Sequence, residues 1–88
     1  MITIYKYSIP VDDQEHEVAL PVDAEITLVA CQTSVSFVEF WTVVDTSLPV
    51  TNRYFRVVGT GHEISSNDTV VGSTMPTPSL VWHLVERV

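Results

Sequence analysis

Cysteine is nearly absent from this chain. Cys31 stands alone among 88 residues, so no internal disulfide can form, and the chain is not a disulfide-stapled secreted mini-domain. A reducing compartment is the expected setting. Basic residues are also scarce: four Lys or Arg against 11 Asp or Glu leave a net charge of −7. That charge repels a phosphate backbone over any distance that salt leaves unscreened, which disfavours generic nucleic-acid binding. Long apolar runs are lacking too. No stretch approaches the about 18–20 residues that cross a bilayer, and the opening MITIYKYSIPVDDQEHE has no basic region followed by an apolar run. The expectation is a soluble, cytoplasmic protein with no membrane segment.

What is present points to a folded domain. Hydrophobic residues make up 45% of the chain and charged residues 17%, the reverse of the balance that disorder needs. A chain of 88 residues makes a single domain, residues 1–88. A domain of this size hides only about 60–65% of the surface its unfolded form exposes, so the core is thin and self-association would add useful burial. The acids are uneven: Asp12, Asp13, Glu15, Glu17, Asp23 and Glu25 fall within the first 25 residues, with Lys6 as their only basic neighbour.

β-Branched and aromatic residues dominate, in short runs broken by Pro, Gly, Asn, Asp and Ser, which is the pattern of short strands joined by turns. Ile2 to Ile9 and Glu15 to Leu20 read as strands ended by Pro10 and Pro21, and as a hairpin across the acidic turn at Asp12 and Asp13. Glu25 to Gln32 alternates, with Ile26, Leu28 and Ala30 on one face and Glu25, Thr27, Val29 and Cys31 on the other. Val35 to Asp45 is apolar on both faces, which places it centrally in a sheet or against a partner subunit. DTSLPVTN, residues 45 to 52, reads as a loop, and Arg53 to Val58 as the next strand. After the loop SSND come a short strand around Thr69 to Ser73, MPTPS with two prolines unsuited to a central strand, and Leu80 to Glu86. Six or seven strands in one domain predict an all-β fold, a small antiparallel barrel or sandwich.

The segment FRVVGTGHEI, residues 55 to 64, is the one stretch shaped like a ligand loop. A phosphate fingerprint wants a third glycine and a following helix, but position 64 is Ile, nothing downstream reads as a helix, and the P-loop lysine is missing. A tight turn is the favoured reading. A nest of exposed amides at Gly59, Thr60, Gly61 and His62, assisted by Arg53 or Arg56, is the functional alternative. The two arginines are three residues apart and so on opposite faces of a regular strand; at most one can serve the loop.

Other constellations carry less. His16, His62 and His83 match no metal-ligand spacing, so no metal is assigned. Many hydroxyls are present without a nucleophile elbow, and Cys31 alternates with apolar positions as a small buried hydrophobe does. Asp12 with Asp13 reads as a solvated turn. No catalytic set is assembled, so the chain is read as a non-enzyme without a cofactor. Tyr5 and Tyr7 share one face of the first strand, where a core or an interface role fits both.

The order of the motifs resembles a family of small uncharacterised proteins encoded by bacteriophages, prophages and bacteria. The resemblance rests on IYKY, VDAEI, WTVVD, RYFRVVGTGHEI, VGS and LVWHLVE, and spans nearly the whole chain. It is most specific in the Gly-Thr-Gly-His segment and the last strand. Two departures stand out: Thr33 to Phe40 is longer than the family's turn, and MPTPSL replaces a His-Gly-Gly-like turn. The resemblance implies phage or prophage provenance and a compact β domain, with no reaction attached. With the acidic first quarter it leads to the expectation of a phage binding module in the host cytoplasm, in an anti-defence role. The partner would be a host protein or a small anionic, nucleotide-like ligand. A structural or assembly protein forming a homo-oligomer is the alternative.

Overall fold

A computed structural model describes residues 1–88. Seven strands follow one another: β1 (Ile2–Pro10), β2 (His16–Pro21), β3 (Glu25–Ala30), β4 (Phe37–Asp45), β5 (Val50–Gly59), β6 (Asp68–Thr77) and β7 (Leu80–Arg87). They form two antiparallel sheets, one of order β1-β4-β3 and one of order β2-β5-β7-β6. The all-β class expected from the short strands is shown, and of the two architectures expected, barrel or sandwich, the two separate sheets make the sandwich.

The core lies between the sheets because alternate residues of the central strands face inward. Ile9, Val29, Val38 and Phe40 from the three-stranded sheet meet Phe55, Val57 and Leu84 from the four-stranded one, all buried. Phe40 and Phe55 pack across the gap in a tilted pair with ring centroids 4.9 Å apart, and Tyr7 stacks on Phe40 at 5.6 Å. Full burial of each such apolar side chain is worth about 1.5–3 kcal/mol. A smaller cluster of Leu20, Ala24 and Val44 closes one end. Only 15 of 88 residues are buried, which is the thin core expected of this length.

Where β3 crosses β6, the sheets approach closely at Gly72. A Cβ built there would lie 2.3 Å from Val29 Cγ2, so only glycine fits. The register of β6 shifts on either side of this region, between Val70 and Gly72 and again between Thr74 and Thr77.

Three sequence expectations are corrected. Ile2 to Ile9 and Glu15 to Leu20 do not form a hairpin: β1 pairs with β4 and β2 with β5, in different sheets. The physical reason is partner length, because β4 gives β1 nine paired positions whereas β2 has six residues in all. Asp13, at φ 62°, helps turn the chain from one sheet to the other. The clean alternation of Glu25 to Gln32 is broken by a bulge between Ile26 and Leu28, which turns Leu28 outward and Val29 into the core. β5 also begins inside the expected loop, at Val50, because Val50 to Asn52 find partners in Pro21 to Ala19. Val35 to Asp45 is central as expected, from Phe37 onward, between β1 and β3. Pro76 falls in β6, an edge strand, and Pro78 in the turn before β7, so neither occupies a central strand.

Candidate functional site

The glycine segment ends β5 in a tight turn. The His62 amide donates to the Gly59 carbonyl at 3.2 Å, and Gly61 takes φ +89°, a backbone that L side chains avoid. The Gly59 amide donates back to His62 Nδ1 at 3.3 Å, and the imidazole lies where a Cβ on Gly59 would sit, 3.2 Å away. Gly61 thus supplies the turn, and Gly59 supplies room for the histidine ring. Thr60 contributes its hydroxyl, 2.9 Å from His83 Nε2, while Ser73 Oγ lies 2.6 Å from His83 Nδ1. Gly59, Thr60 and His62 line a shallow depression of about 350 Å³ together with Ser79, Leu80, Val81 and Trp82.

Neither arginine is brought to that turn. Arg53 points to the core side of β5, where its guanidinium donates to both Glu86 oxygens at 2.6 and 2.7 Å and to the Ala24 carbonyl at 2.6 Å. The Glu86 carboxylate, over the opposing cost of burial, holds the Arg53 guanidinium more firmly protonated than usual. Arg56, on the opposite face as its spacing requires, donates to Asp68 Oδ2 at 2.8 Å. Asp68 is held below the usual carboxylate range by the Ser65 amide first and by Arg56 second. Both arginines therefore tie strands together. Arg53 also borders the largest open groove, about 680 Å³ between Asp23, Ala24, Glu25, Ile26 and Val71, but its guanidinium nitrogens are already engaged.

The side of the three-stranded sheet turned away from the core is different in kind. Register and burial place Ile2, Ile4 and Lys6 of β1, Trp41 and Val43 of β4, and Leu28 of β3 together on it. Ile2 is 66% exposed, Ile4 62% and Leu28 54%, values that suit an unfinished apolar surface. Lys6 Nζ lies 5.4 Å from the Trp41 ring centroid, and Glu25 and Asp45 stand at the rim. The two-faced apolar pattern of Val35 to Asp45 was the sequence signal for this face; the exposure of Leu28 depends on the bulge and had no such signal.

A domain family described as being of unknown function, DUF7352, matches residues 1–88. The chain belongs to the DUF7352 family. No curated protein and no solved structure matches it.

Further polar side chains of this DUF7352 domain are engaged within the fold. His16 Nε2 lies 2.8 Å from Asp12 Oδ1, an interaction that with the Gln14 amide holds Asp12 below the usual range. Burial and the neighbouring Glu39 push the Cys31 thiol up, away from reactive thiolate. Glu39 itself is 1% exposed on β4. Burial works against its charge, but the Thr33 hydroxyl at 2.6 Å and the amides of Gln32 and Thr33 at 3.2 and 3.1 Å outweigh it, and the carboxyl is held below its ordinary range. The sequence placed Glu39 on an apolar face without a partner. It is the anchor of the segment that follows β3.

Proposed function

We propose that this domain is a phage-encoded, non-enzymatic binding module that grips a host protein in the host cytoplasm, in an anti-defence role. The observation that carries the reading is the exposed apolar face of Ile2, Ile4, Leu28 and Trp41 on the three-stranded sheet. Two strands of nine residues and one of six, about 4.8 Å apart, give a footprint on the order of 400 Å². That is about half of what one side of a standard interface covers, so an occupant extends onto the rim. At the rim Glu25, within a chain of net charge −7, favours basic side chains, while Asp45 is taken up by Ser47 and the Met1 ammonium. The partner chemistry is thus an apolar patch edged by Lys or Arg.

The nucleotide-like ligand of the sequence reading has less support. An anion at the Gly59–His62 turn would need a nearby cation, and Arg53 and Arg56 are spent on Glu86 and Asp68. Assembly with further copies is a second reading, favoured by the unpaired edge of β1.

The test is capture from host lysate with the wild-type domain and with Leu28→Glu, a change at an exposed position. A captured protein that is lost with Leu28→Glu supports the reading; the same proteins retained by both domains contradict it.

A further inference from the structure

A small sandwich has four sheet edges, and three of them here are guarded. β3 carries a bulge and packs against β6. β6 has two register shifts and Pro76. β2 is six residues long, ends in Pro21 and carries Glu17. Such devices keep sheet edges from pairing with other chains.

The edge of β1 has neither bulge nor register shift, and shares with β2 only a closing proline and one charged side chain. All nine residues pair in unbroken register with β4 on one side, and no strand pairs on the other. Pro10 comes only at the last position, no bulge interrupts the strand, and Lys6 is its only charged side chain. Backbone N–H and C=O groups on that side therefore present a straight, unpaired ladder.

We infer that the edge of β1 pairs antiparallel with β1 of a second copy, joining two three-stranded sheets into one six-stranded sheet about a twofold axis. This deepens the assembly reading and does not depend on the host-protein reading. Charge selects the second copy. In a chain of net charge −7, β1 is a strand without an acid, so two copies can approach there with little repulsion. A twofold normal to the sheet pairs residues on like faces, and a register centred on Tyr5 sets Lys6 opposite Ile4 of the second copy. Centring on Lys6 would set two ammonium groups against each other. The pairing is isologous and closes at two, which consumes both free edges. It also continues the exposed face of one copy into that of the other. The area is small, so the association is weak, with dissociation in the range of about 10–100 µM.

Sedimentation over about 1–500 µM tests this with three proteins. Wild type is expected to pass from monomer to dimer across that range. Ile4→Lys alters a side chain 62% exposed and leaves the fold intact, but sets the new lysine of each copy against Lys6 of the other. It is expected to weaken the dimer at least tenfold. Ile4→Lys with Lys6→Glu restores opposite charges in the same register and is expected to recover the dimer. Wild type that stays monomeric throughout overturns the inference, as does a dimer indifferent to Ile4→Lys. A double variant that fails to recover overturns the register.

Discussion

The two sheets share one core but finish their outer faces differently. The four-stranded sheet spends polar chemistry there: Arg56 on Asp68, Arg87 on Glu15 and over the Tyr54 ring, and His83 between Ser73 and Thr60. The three-stranded sheet contains no arginine, and its outer face is Ile2, Ile4, Leu28, Val43 and Trp41 with Lys6 as the only cation. Even its buried carboxylate, Glu39, is closed off by Gln32 and Thr33. The four-stranded sheet exposes Val50 and Val70, but ion pairs cross its outer face and register shifts interrupt its β6 edge. A sheet with an apolar face and a bare edge is shaped for contact, and that contrast is the structural content of the proposed function.

The largest effect is expected where the two sheets touch. Gly72→Ala drives a methyl group into Val29 and is expected to cost about 3 kcal/mol, lowering the melting temperature by more than about 10 °C. Val29→Ala in the same chain is expected to return part of that loss. A Gly72→Ala protein as stable as wild type would mean the sheets are not held at this distance.

A smaller effect is expected at Glu39. Glu39→Gln sets an amide N–H₂ against backbone donors and is expected to cost about 2 kcal/mol by chemical denaturation at neutral pH. Because the folded-state value of Glu39 is lowered, its contribution is fully present above the unfolded value of about 4.3. It is lost as pH falls through the lower folded value. Wild type should therefore lose stability on acidification more steeply than Glu39→Gln, and parallel curves would remove Glu39 from the account. The smallest effect on stability is expected from Leu28→Glu, within about 0.5 kcal/mol, because the side chain is exposed. This variant separates partner binding from folding, and a large loss of stability would show that Leu28 is packed.

The fold class was legible because short runs of β-branched and aromatic residues between Pro, Gly, Asn, Asp and Ser mark strands, and alternation sharpened that mark in β7 and in part of β3. The partition into two sheets was not, because pairing is decided between segments far apart in sequence. β1 bonds to β4 some 35 residues on, and nothing local to Pro10 or Asp13 announces it. The bulge at Thr27 has no glycine or proline to signal it. At the glycine segment, the turn and the opposite facing of Arg53 and Arg56 followed from spacing and φ. Their partners did not. Glu86 and Asp68 come to the arginines through the registers of β5, β6 and β7, and those ion pairs changed what the arginines do.

Amide hydrogen exchange as a function of protein concentration addresses the contrast between the sheets most directly. Free-edge amides of β1 are expected to exchange rapidly in dilute protein and to gain protection as concentration rises, while those of β6, the guarded edge, stay unchanged. Equal exchange of β1 at all concentrations, or protection arising at β6 instead, would contradict the pairing of β1 between copies and with it the contrast between an open and a guarded edge.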